Sequence, residues 1–117
     1  MDKEKFISYL EQERESCMAQ EQRLIAEERK DEANLCKVEA NIYDIFKTLY
    51  QVSLREEPEK QKEFFLHKAK TIPANWQKSY EAAKEHQDVQ KILIEETKLA
   101  VVRKIMDNFQ RLWEEEV

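Results

Sequence analysis

The sequence predicts an all-α protein of four helices, bundle-like, and three observations carry that expectation. Glycine is absent and proline occurs only at Pro58 and Pro73. Tight β-turns draw on Gly, Asn-Gly or Asp-Gly, so a sheet protein would have little to turn with. Apolar residues recur at three- and four-residue spacing through long stretches without a breaker, which is the pattern of amphipathic helices. Charged residues make up 38% of the 117-residue chain and apolar ones 41%. That balance suits long exposed helices with narrow apolar stripes, and it is too apolar and too regular for a disordered chain. The length fits a single domain.

The first helix is expected over about residues 2–52. A coiled-coil heptad register runs through it, with Ile7, Arg14, Glu21, Glu28, Leu35, Ile42 and Leu49 at a. Lys3, Leu10, Cys17, Leu24, Asp31, Val38, Ile45 and Val52 fall at d. Phe6, Met18, Ile25 and Phe46 widen the stripe. The seam is apolar at its ends and partly charged in the middle. One helix of that length would span about 75 Å. The stripe is narrow from Phe6 to Ile25 and broad from Leu35 to Val52, so the second half belongs among several neighbours and the first against one. The segment "EERKDEAN" between them holds no breaker, and we read it as continuous helix. A chain folded back on itself near Asp31 is the rival arrangement.

Ser53 and Glu56 have capping-box spacing, and Pro58 suits a first helical position. A short second helix is expected from about Pro58 to Lys70, carrying Phe64, Phe65, Leu66 and Ala69. Pro73 in "KTIPANW" reads as a break that opens a short third helix to about His86, with Trp76, Tyr80 and Ala83 on one face. Asp88 is a good N-cap for a last helix over 89–115. That helix shows Ile92, Leu99, Val102, Met106, Phe109 and Trp113 on one side. Glu114, Glu115 and Glu116 oppose its macrodipole, so its end should fray.

Helices that alternate in direction would set the last helix antiparallel to roughly residues 25–52 of the first. The result is one helical domain over 1–117, with a compact head over 35–117 and a projecting arm over 1–25. Phe6, Ile7, Leu10, Cys17 and Met18 would then face water on the arm. An exposed stripe of that kind marks association, so a homodimer through the arm is expected. Leu112 and Trp113 are candidates to join the same contact.

Composition also limits function. A chain without glycine cannot build a Gly-rich phosphate loop. The net charge is −5, and Lys and Arg alternate with Asp and Glu throughout, so a nucleic-acid partner is not expected. No apolar run approaches the roughly 18 residues of a membrane span. The opening "MDKEKFISYL" lacks the apolar stretch of a signal peptide, so the expected location is the cytoplasm. On one continuous helix Cys17 and Cys36 would stand about 28 Å apart. A disulfide needs Cα atoms within about 7 Å, so two free thiols are expected.

Glu63 and His67 stand at i, i+4, but the chain contains neither Glu-x-x-His nor His-Glu-x-x-His, and no metal is expected. His86 sits where a helix end favours a histidine. Adjacent carboxylates such as Glu95 and Glu96 diverge around a helix instead of converging on a substrate. Catalytic acid–base work needs a concave, partly dry pocket, which a thin bundle seldom offers. The expected function is therefore non-enzymatic, without a cofactor: a helical protein that associates with itself or binds a partner's helix. The alternative is an export-type chaperone that shields an amphipathic helix of a secreted client, a likeness of general shape alone.

Overall fold

The computed structural model describes residues 2–115. It is all-helical, with α1 (Lys3–Ala26), α2 (Lys30–Ser53), α3 (Pro58–Glu85) and α4 (Val89–Glu114) and no strand among the described residues. Three short turns join helices of similar length. The body measures 45 × 34 × 22 Å.

The long first helix is not formed. The chain turns back at Glu27–Arg29, and α1 lies antiparallel on α2. The Glu28 amide donates to the Ile25 carbonyl (3.0 Å) and the Arg29 amide to the Leu24 carbonyl (2.9 Å), while Glu28 takes φ 62°. This is a Schellman helix end, whose left-handed position normally holds glycine. Placing Glu there costs about 1–2 kcal/mol.

Tertiary packing supplies what outweighs that cost. Folding back buries Phe6 (0% exposed), Leu10 and Leu24. The heptad had warned of the break: Arg14, Glu21, Glu28 and Asp31 occupied its seam. The buried positions also change phase between the two halves. In α1 they are Phe6, Leu10 and Leu24; in α2 they are Ala33, Ala40, Ile42, Tyr43, Phe46 and Tyr50, and the seam residue Ile45 is exposed. One straight stripe cannot run through both sets.

The two short helices expected over 58–86 are one. α3 continues through Pro73. A proline in a helix forfeits one ladder bond and crowds the preceding turn. Phe65 and Ala69 before it, and Ala83 after it, hold both halves in the bundle. Just before it, Thr71 donates its hydroxyl back to the His67 carbonyl (2.9 Å), the local side-chain bond that Ser and Thr make inside helices. The Ser53–Glu56 capping box is also absent. Ser53 is the last residue of α2, buried, and donates to the Tyr50 carbonyl (2.5 Å). The α3 N-cap is Glu57, ahead of Pro58. The turn is held instead by Gln61, whose side-chain amide donates to the carbonyls of Leu54 (3.2 Å) and Glu56 (3.0 Å).

Asp88 does cap α4, accepting from the Lys91 amide (3.2 Å). The helix ends with Glu115 as C-cap; Glu116 and Val117 of the expected frayed end lie outside the described residues.

Replacing two short passes by one removes a reversal of direction, and the last helix consequently runs parallel to α2, not antiparallel. Tyr50 and Phe109, late in each helix, have ring centroids 6.5 Å apart. Asp31–Leu35 and Gln90–Ile94, early in each, face one another across a groove. α2 packs against the other three helices, while no Cα of α1 comes within 8 Å of a Cα of α3 among the described residues. α1 therefore lies at the margin.

Candidate functional site

The end of the bundle where α1 begins is filled with aromatic rings. The Phe6 ring stands edge-on to Tyr50 (centroids 4.8 Å), Phe109 (5.2 Å) and Phe65 (5.8 Å). Phe65 lies 4.7 Å from Phe109, which stacks on Trp113 at 6.0 Å. Edge-to-face rings at these separations are favourable beyond their area alone. Trp113 keeps one face toward solvent under the Lys62 ammonium (4.3 Å to the ring centroid).

These contacts locate the residues expected on the arm. Phe6 and Leu10 are interior side chains of their own chain. Ile7 and Cys17 are half-buried against the core, as are Leu112 and Trp113. The structure does bring Trp113 to the same contact as Phe6, through Phe109, but within one chain. Met18 alone of the seven is exposed, at 44%. The arm does not project, because α1 packs along α2 and across α4. Across the hairpin, Glu11 pairs with Lys47 (2.8 Å) and Arg14 with Asp44 (3.5 Å).

The middle of the α1–α2 hairpin collects ionisable groups. Burial, reinforced by Glu39, pushes the Cys17 thiol up to about 11. Burial also raises Cys36, with Glu39 again adding to it. Both thiols are free. The 28 Å separation expected on one straight helix does not apply, since the hairpin brings the two segments together. Burial raises the Glu39 carboxyl, an effect opposed by Lys104 and supported by Glu13. Burial raises Tyr43, helped by Tyr9, and pushes Tyr50 up to about 12. A thiol held protonated is a poor nucleophile, so Cys17 lacks the character of a reactive cysteine.

Two more polar features lie between α3 and α4. Tyr80 donates its hydroxyl to Glu96 (3.2 Å). Glu95 is buried, with one oxygen on Lys98 (3.3 Å) and the other without a hydrogen-bond partner. Lys98 also lies over the Trp76 ring, at 5.6 Å. Among the described residues no three His, Cys, Asp or Glu side chains group as a metal site, and no helix is long and apolar enough to cross a membrane.

The surface that stands out is at the opposite end, beside the α1–α2 turn. Ile25 (47%), Leu93 (46%) and Val89 (69%) are exposed there. A groove of about 180 Å³ runs between the starts of α2 and α4, floored by Leu35, Leu93 and Ile94 and edged by Asp31, Glu32, Asn34 and Gln90. Asn34 also lines a second groove, of about 230 Å³, with Ile25 and Ala33. The two grooves flank Asn34 on α2. Sequence reasoning missed this surface because it needs the turn: Ile25 and Leu93 are far apart in the chain. The one available signal was that Leu93 and Val89 fall off the apolar face of α4. Compared with protein families, with curated proteins and with solved structures, the chain matches none.

Proposed function

We propose that this protein is a helical interaction module that acts by associating with another helix and not by catalysis. The observation that supports it is the apolar surface at the turn end, where Leu35, Leu93 and Ile94 floor one groove, Ile25 and Ala33 line its neighbour, and Val89 is exposed at the start of α4. Exposed apolar side chains gathered round a concave site are a feature of binding surfaces. Asp31 on the groove edge favours a helix that carries a basic residue beside its apolar anchors, while Glu32 is already paired with Arg29. The chaperone alternative relied on an arm left open to a client. Since α1 is occupied within its own chain, such a client would have to use the turn-end groove.

A photo-crosslinking side chain at Leu93, introduced in the native cell, tests the reading. It should trap a defined protein, or a second copy, that the same group at exposed Lys78 does not trap. With the crosslinking group kept at position 93, Ile25→Glu with Val89→Glu should abolish capture while leaving helicity unchanged. Equal capture from both positions would remove the reading.

A further inference from the structure

We propose that the α1–α2 turn is a hinge through which two copies of this chain exchange α1 and form a domain-swapped dimer. The inference rests on the helix-association reading and names its partner as a second copy.

The turn is closed by tertiary contact and only weakly by local sequence. Its left-handed residue is Glu28, and the N-cap of α2 is Arg29, which makes no side-chain capping bond. The span Glu27–Glu32 contains no Gly, no Pro and no β-branched residue, so it is equally suited to a helix. Rotating Glu28 to helical φ would join α1 and α2 into one helix over 3–53. What resists the opening is the packing of α1 on α2 and α4 and the Phe6 contact with Phe65 of α3, not the turn itself.

Every contact that holds α1 can be remade by the α1 of a second copy. Two chains related by a two-fold axis through the hinge would lay each α1 antiparallel along the other's α2. Phe6 would enter the same ring cluster, and Glu11–Lys47 and Arg14–Asp44 would form between chains. Exchange of an identical element is a low-cost route to a dimer for this reason. A second observation is independent of the hinge. The exposed Ile25, Val89 and Leu93 lie at the turn end, where the two bodies would meet about the axis. The monomer leaves these side chains open, and the exchanged dimer would cover them.

Hinge variants combined with a distance measurement test the exchange. Wild type, Glu28→Gly and Glu28→Ala are refolded at high concentration and their masses measured by sedimentation. Glycine favours the closed turn and weakens the continuous helix, so Glu28→Gly should lower the dimer association constant by about a hundredfold. Glu28→Ala should leave it equal or raise it a few-fold. Spin labels at Ser16→Cys and Asn41→Cys, in a Cys17→Ala, Cys36→Ala background diluted into unlabelled chain, then report on the hinge. They face each other across the closed hairpin, within about 20 Å, and separate to about 38 Å along one continuous helix. The long distance, confined to the dimer, supports exchange. The absence of any dimer, a dimer that keeps the short distance, or equal dimerisation of Glu28→Gly overturns it. A dimer at the short distance, or capture of another protein at Leu93, leaves the broader reading standing. Failure of both the dimer and the capture removes both.

Discussion

The turn between α1 and α2 and the turn between α3 and α4 share one hydrogen-bond pattern. In each, an amide reaches back three residues and the next reaches back five: Glu28 to Ile25 and Arg29 to Leu24, Gln87 to Lys84 and Asp88 to Ala83. Each holds a non-glycine residue at positive φ, Glu28 at 62° and Gln87 at 57°. They differ one residue later. Asp88 caps α4 through its side chain, whereas Arg29 caps nothing and pairs with Glu27 (3.1 Å) and Glu32. The α3–α4 turn is therefore built into the local sequence. The α1–α2 turn depends on what α1 buries once it has folded back. Two turns of one shape can thus have different causes.

The largest effect should come from removing what closes the weaker turn. Phe6→Ala should cost about 3–5 kcal/mol in urea denaturation, because a fully buried ring leaves a cavity among Tyr50, Phe65 and Phe109. A loss below about 1 kcal/mol would mean that the turn is locally determined after all.

Next, the caps separate the turns directly. Asp88→Ala should cost about 0.5–2 kcal/mol and Arg29→Ala no more than about 0.5 kcal/mol. Equal losses in thermal melts would erase the distinction. Arg29→Asp should bring the first turn closer to the second.

Glycine should then act alike at both sites. Glu28→Gly and Gln87→Gly should each stabilise the monomer by about 1 kcal/mol, since both relieve a left-handed residue in the same setting. A gain at only one site would show that the shared geometry hides unequal strain.

At neutral pH the last effect is silent; it shows only in alkali, and it sharpens the same contrast by reporting on α1. The thiol of Cys17 is held up to about 11 and the phenol of Tyr50 up to about 12, both chiefly by burial. Each is neutral in the folded protein at a pH where the unfolded chain has begun to ionise. Their contribution is complete below about pH 8.5 and is lost as pH rises through about 11 and 12. The urea midpoint should decline in that alkaline window. Iodoacetamide should modify Cys17 at pH 8 about a hundredfold more slowly than a free thiol. Phe6→Ala, by loosening α1, should restore much of that rate. A fast reaction in the wild-type protein would show that α1 is not docked.

Much of the fold was legible because its signals are local. The helical class followed from the missing glycine and the apolar spacing. Pro58 and Asp88 marked helix starts because a fixed φ and a short carboxylate act within one turn of chain. The readings that failed had no such local signal. "EERKDEAN" is acceptable as helix or as turn, and its fate depends on Phe6 meeting rings from three other helices. Pro73 carries a strong local penalty, yet packing on either side of it holds α3 together. The candidate surface at Ile25 and Leu93 was invisible for the same reason, because it exists only once α1 has turned and α4 has come to lie parallel to α2.

The sequence by itself determined that the chain is helical and where α3 and α4 begin. Tertiary structure alone decided whether residues 3–53 form one helix or two, and whether Pro73 divides α3. The reason is one of scale. A left-handed residue or an internal proline costs only a few kcal/mol, comparable to about 1.5–3 kcal/mol for burying a single large apolar side chain. Where local preference is that weak, the contacts made at a distance set the course of the chain.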